Sequence, residues 1–372
     1  LGSLQSGVLN SLHRFAAAAA APVLLNLTFI TAMLAFPGNS AHIGLVLSWA
    51  VCVAGIIQFL WLVHHCRRAG YPVHFVRPQL SPKVRLLGRR ILPVVFGASL
   101  YQINLLIGTI LATLVADGAV SYLYYADRVT QLPLGVVGVA VGTALLPTLS
   151  RQLAGGDTEA AMASQNRGLE FAILLTLPAA FALIAMPEPI IAVLFERGAF
   201  DAAAVSATAA ALVAYATGLP AYVLIKVLTP GFFSREDTKT PVKIAAVAMS
   251  ANIILNLLFM RYWGHVGIAA AASLSAWLNA VALAVVLHRR GQLSIDRRLM
   301  TRAPRVLLAS GCMAVGLYLS VETFSAVLFN GALPDAIGLA GLVLGGACVY
   351  GALSLALGAV NAADMQIFVR RK

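Results

Sequence analysis

The feature that most constrains this chain is a series of apolar runs, each close to the length of a membrane span. Ten can be read: 15–36, 42–63, 91–115, 122–150, 168–186, 203–232, 242–260, 266–287, 304–328 and 336–358. About 20 apolar residues in a helix cross the hydrocarbon core of a bilayer. Several runs contain no charge at all. A soluble chain carries roughly 25% charged residues, whereas this one carries 11%, with 60% hydrophobic residues. In lipid the backbone finds no water, so each run must close its own hydrogen bonds as a helix. Strands of a membrane barrel would alternate over about 10 residues, and these runs do not. The reading is an all-α polytopic membrane helix bundle. Segment 1–12 reads as the tail of a further helix.

The formal charge of +12 would suit nucleic acid if it were spread over a surface. Its distribution excludes that reading. The connection 64–90 holds Arg67, Arg68, Arg77, Lys83, Arg85, Arg89 and Arg90, and the next connection, 116–121, holds none. The alternation continues along the chain. Over all the connections, 22 Lys and Arg fall on one side and two on the other. Cytoplasmic connections carry the excess of Lys and Arg, so both ends of the chain are expected in the cytoplasm. Two basic residues, Arg128 and Lys226, lie inside apolar runs instead.

Short strings recur in order at an offset near 220 residues. Val8-Leu9, Pro22-Val23, His42-Ile43-Gly44-Leu45 and Arg67-Arg68 match Val227-Leu228, Pro241-Val242, His265-Val266-Gly267-Ile268 and Arg289-Arg290. Both Pro-Val pairs open a run from the basic side, so the repeat is parallel. The second copy begins near residue 85, which implies about 130 residues and four helices ahead of Leu1 in the first copy. The expected architecture is two pseudo-symmetric lobes, the first truncated, plus two C-terminal helices. The expected divisions are 1–66 for the remainder of the N-terminal lobe, 67–90 for a cytoplasmic linker, 91–290 for a six-helix lobe and 300–372 for the final pair.

No hydrolytic triad, phosphate-binding loop or metal-ligand spacing is present. The four cysteines share no ligand spacing, and His64-His65 reads as a solvated pair. No metal, cofactor or catalytic residue is expected. The strongest chemical signal is Asp127-Arg128, which follows Tyr122, Tyr124 and Tyr125. Such tyrosines form interfacial belts, and the charges lie roughly 8 Å below them at 1.5 Å per residue. Helix neighbours point about 100° apart, so the two charges pair poorly with each other. Charges within a membrane face a bundle interior or cavity and mark substrate paths. A structural pair to another helix, or snorkelling, is the alternative. Snorkelling also accounts for Lys226. Arg14 sits at the basic mouth of its run. Asn104, like Asn26, Asn252, Asn256 and Asn279, offers an interhelical hydrogen bond. The candidate substrate-binding set is Arg128, Asp127, Gln131, Lys226, Arg14 and Asn104.

The stretch Tyr124-Tyr125-Ala126-Asp127-Arg128, Leu132-Pro133-Leu134-Gly135-Val136, Gly138-Val139-Ala140-Val141-Gly142-Thr143 and Leu146-Pro147 resembles the signature of the MurJ (MviN) family of lipid II flippases. Lys226-Val227-Leu228, Pro230-Gly231-Phe232 and Asp237-Thr238-Lys239-Thr240-Pro241-Val242-Lys243 match as well, as do Asn10, Arg14-Phe15 and Ala21-Pro22. The resemblance covers essentially the whole chain. It implies the fold of the multidrug/oligosaccharide-lipid/polysaccharide exporters, with fourteen helices. It implies a flippase that carries undecaprenyl-pyrophosphate-linked peptidoglycan precursor (lipid II) from the cytoplasmic to the periplasmic leaflet of the bacterial inner membrane by alternating access. The family's charged cavity pair falls on Asp127 and Arg128. An acidic residue common three positions after that arginine is Gln131 here. The last two helices would form a groove for the lipid tail, and cell-wall synthesis proteins would be partners. The rival readings are another lipid-linked oligosaccharide flippase or drug/cation antiporter of the same superfamily and, more distantly, a polytopic enzyme acting on polyprenyl lipids.

The charge split makes one direct prediction. Single cysteines at Gly118 and Asn330 react with an impermeant thiol reagent in intact cells, and one at Gln79 does not. Labelling at Gln79 reverses the orientation.

Overall fold

The computed structural model describes residues 2–12, 14–37, 40–71, 102–328 and 332–360. Among them are eleven helices and no strand. The chain divides into two compact units, residues 1–89 and 90–372. Most of the expected linker 67–90 lies outside the described residues.

In the first unit, α1 (Gly2–Ser11), α2 (Phe15–Ala35) and α3 (Ser40–Arg68) pack together. The alanine run that opens α2 presents small side chains, which let α3 come close. Trp61 Nε1 donates to Ala17 O at 3.1 Å and Gln58 Nε2 donates to Ala21 O at 2.8 Å, so the two helices run antiparallel. Leu9, Leu62 and Cys66 form the buried centre. Large apolar side chains such as Leu34, Leu45 and Trp49 remain exposed, as lipid-facing surfaces require.

The second unit contains α4 (Gln102–Thr113), α5 (Ala119–Ala154), α6 (Thr158–Ala185), α7 (Pro187–Phe195), α8 (Ala202–Phe233), α9 (Lys239–Arg289), α10 (Arg297–Leu328) and α11 (Ala332–Ala356). Its hub is α8, which touches α5, α6, α7 and α9. The helix is rich in alanine and carries Gly218 and Gly231, so neighbours approach its backbone. A Cβ on Gly218 would lie 2.5 Å from Ser273 Oγ. Ser273 Oγ donates to Ala214 O at 2.7 Å, and Trp277 Nε1 donates to Thr217 O at 2.9 Å.

Helix α9 is 51 residues long. A straight helix of that length would extend about 77 Å, more than twice the hydrocarbon thickness. It folds instead at Gly264, whose backbone lies at φ 57 and ψ −133. The two halves are separate crossings, in line with the runs 242–260 and 266–287. The bend is tight: a Cβ on Gly267 would lie 2.3 Å from the Phe259 carbonyl oxygen. At the other end of the hairpin, Arg290 Nη1 donates to Asp237 Oδ2 at 2.6 Å and Arg290 Nη2 donates to Thr240 Oγ1 at 3.0 Å.

The described parts of the remaining runs also fall on helices; residues 91–101 of the run 91–115 lie outside the described residues. One connection differs from expectation: 187–202 contains α7. Pro187 suits a helix start because its φ is preset and its missing N–H is not needed there. Ile190 and Ile191 are buried beneath it. Nine residues are too few to span, so a search for spans reads them as a loop. Helix α10 packs on α6, and Tyr350 Oη of α11 donates to Leu174 O at 2.6 Å.

The second unit has two chemically distinct ends. The first gathers the start of α6, the turn 234–238, the segment 288–298 and Arg305, joined by hydrogen bonds such as Asn166 Nδ2 to Ser294 O at 2.7 Å. The second gathers Tyr122, Tyr125, Phe195, Phe200 and His265. One end is basic and the other aromatic, as expected of a chain with alternating connection charge.

The turn of α9 generates a stability prediction. Gly267→Ala forces a methyl group into the backbone at Phe259, and overpacking of this kind costs about 2 kcal/mol or more. Thermal denaturation in detergent should show a clear drop. Gly135→Ala, where a Cβ meets nothing within 4 Å, should show none.

Candidate functional site

The site is built on α5, which enters from the aromatic end. Tyr125 stacks on Phe195 with centroids 4.6 Å apart and Tyr122 on His265 at 5.4 Å, which fixes the first turn. The next turn presents Asp127, Arg128 and Gln131. Asp127 and Gln131 are four residues apart and share a face, while Arg128 reaches Gln131 from three residues away. The amide of Gln131 uses both of its ends: Nε2 donates to Asp127 Oδ2, and Oε1 accepts from Arg128 Nη1 at 3.5 Å. The Arg128 guanidinium also lies over the ring of Tyr124, with Cζ 4.8 Å from the centroid. The partner that Asp127 and Arg128 each need is therefore on their own helix. Arg128 remains exposed, and among the described residues most of its five donors are uncommitted.

Further along the same helix, Gly135 is open and Gly138 is covered. What covers Gly138 is Lys226 of α8, whose Cδ would lie 2.7 Å from a Cβ there. Among the described residues, no carboxylate forms an ion pair with Lys226. From Arg128 to Gly138 is about 15 Å along the helix axis. The structure thus brings four of the six candidates onto one helix or against it.

The other two stand elsewhere. Asn104 is on α4, with its Oδ1 buried and without a hydrogen-bond partner among the described residues. Arg14 belongs to the first unit, exposed at the break between α1 and α2, where its backbone N–H donates to Leu9 O at 2.9 Å.

The family model described as lipid II flippase MurJ matches residues 1–336 of this chain. This chain is a member of the MurJ family. A probable lipid II flippase MurJ of Rhizobium meliloti (strain 1021) is 42% identical over 377 residues, covering 100% of this chain and 70% of the relative. One from Vibrio cholerae is 35% identical, covering 96% of this chain and 68% of the relative. A solved structure of lipid II flippase MurJ, in an inward closed conformation, superposes with a TM-score of 0.74 at 24% identity, covering 95% of this chain and 70% of that one. That likeness shows the fold.

The MurJ-family chain also contains an ionic cluster that periodicity did not reveal. Glu170, inside the run 168–186, bonds Arg167 and Arg302, and Arg298 Nε lies 3.2 Å from its Oε2. Arg167 also bonds Asp296. The cluster ties α6 to the start of α10. A carboxylate one turn into a run is the available signal, but its partners are 128 and 132 residues away in sequence. At the turn before α9, hydrogen bonds from Thr240 and Arg290 hold the Asp237 carboxyl below the usual carboxylate range. Such a group adds stability above its unfolded range and loses it as pH falls through the folded value.

Glu170→Gln removes the carboxylate charge that Arg302, only 9% exposed, shares with Arg167 and Arg298. Breaking a buried pair in this way costs about 3 kcal/mol. The expected result is a lower melting temperature of the purified protein with the site on α5 intact.

Proposed function

We propose that this chain translocates lipid II, the undecaprenyl-pyrophosphate-linked peptidoglycan precursor, from the cytoplasmic to the periplasmic leaflet. The observation that carries this reading is the placement of Arg128 on α5 and of Lys226, which reaches from α8 onto Gly138 of the same helix, both within apolar runs and with no carboxylate paired directly to either among the described residues. A pyrophosphate is strongly anionic and costly to carry through hydrocarbon. Arginine stays charged and binds phosphate with two parallel hydrogen bonds. Lysine offers a point charge for the same group. Arg128 forms one contact near the aromatic end and Lys226 another towards the basic end. The polyprenyl tail remains in lipid, and α10 and α11 provide its groove. Asn104 in the second unit and Arg14 in the first are further candidates for polar contact with the headgroup, each within its own unit.

The protein is a transporter of the bacterial inner membrane. Its basic end and C-terminus face the cytoplasm, and the aromatic end faces the periplasm. Transport proceeds by alternating access, with residues 91–290 moving as one lobe, 1–66 as part of the other and 67–90 as their link. The membrane potential supplies about 2.3 kcal/mol per charge per 100 mV to such a cycle. Enzymes that make and consume lipid II are its natural protein partners.

In the intact gene product, Arg128→Ala reduces lipid II exposure at the periplasmic face by at least tenfold, the scale expected for losing a charged hydrogen bond. Arg128→Lys retains part of the activity, because the charge survives and the fork does not. Lipid II accessibility is measured against the amount of inserted protein. Normal flipping by a well-inserted Arg128→Ala variant removes the headgroup role.

A further inference from the structure

We propose that Gln131 is the positioning residue of this site: it sets the guanidinium of Arg128 by bridging it to Asp127, and it keeps the two charges from cancelling. The proposal rests on the headgroup reading of Arg128. Three observations meet here. Gln131 Nε2 donates to Asp127 Oδ2, Gln131 Oε1 accepts from Arg128 Nη1 at 3.5 Å, and Tyr124 supports the guanidinium from the preceding turn at 4.8 Å.

A group that answers a carboxylate on one side and a guanidinium on the other must donate and accept together. An amide does both, a carboxylate only accepts and an ammonium only donates. The helix register selects the long amide, since position 131 lies one turn from both charges. The consequence for binding follows from charge. A carboxylate paired directly to Arg128 would compete with an incoming phosphate for the same fork. A neutral amide oxygen orients the guanidinium and leaves its charge available. Asp127, held by the other end of the amide, stays within the cluster without occupying the arginine.

The test is a swap at constant shape. The probe is undecaprenyl pyrophosphate, which carries the tail and the anionic group without sugar or peptide, bound to the purified intact gene product in nanodiscs. Gln131→Glu removes the donor and sets a carboxylate directly on Arg128, and binding should weaken about tenfold. The double variant Asp127→Asn/Gln131→Glu relieves the repulsion between the two carboxylates but leaves one of them on Arg128, so its binding should stay weak. If Gln131 served only to avoid repulsion with Asp127, the double variant would recover. Both changes preserve side-chain size, so a packing role predicts parent-like binding by each. Parent-like binding by Gln131→Glu, or recovery in the double variant, overturns the proposal. Should Gln131→Glu fail to insert, the double variant alone decides: weak binding by the inserted protein supports the bridge, and parent-like binding overturns it. Arg128→Ala separates the two readings. If it binds normally the headgroup role falls, and if it fails while Gln131→Glu binds normally only the bridge falls.

Discussion

Between helices in lipid, burying one apolar face against another gains little, because the tails are as apolar as leucine. Close packing at small residues and buried polar contacts must hold the bundle. In the second unit both are concentrated on α8. Gly218 brings its backbone against Ser273, and Ala207, Ala214 and Thr217 offer carbonyls that accept from His265, Ser273 and Trp277 of α9. A larger residue at Gly218 would push the helices apart and leave those donors unanswered. The placement of α5 depends on this hub, since α5 packs on α8 and receives Lys226 from it.

Charge is handled differently at different depths. At the basic end, Glu170, Asp237 and Asp296 are spent on arginines, and the pairs join helices that sequence holds far apart. On α5 the charges are kept on one helix and separated by an amide. The first arrangement fixes structure. The second holds a guanidinium in place through an amide and a tyrosine ring.

Much of the fold was legible because the bilayer leaves the backbone few choices. Run length identified the crossings, and the connection charges separated the two ends. The bend at Gly264 was visible as a gap between two runs, though its tightness was not, since nothing in Gly264 or Gly267 alone announces a carbonyl lying beneath. Helix α7 was missed because a nine-residue element has no span signal. At the site, Asp127 and Arg128 stood out as charges in an apolar run. The contacts of Gln131 to both charges were not read from the sequence, although its spacing of four and three residues was the available signal. The ionic cluster around Glu170 was not, because long-range pairing depends on which helices become neighbours.

The hairpin form of α9 bears on how the protein is made. Its turn at Gly264 leaves almost no slack between the two crossings, which are joined at the far end by Arg290 and Asp237. The pair must therefore pass from the insertion machinery into the bilayer as one unit. A lesion that prevents either crossing from inserting strands its mate, and quality control sees the loss of two helices from a change in one.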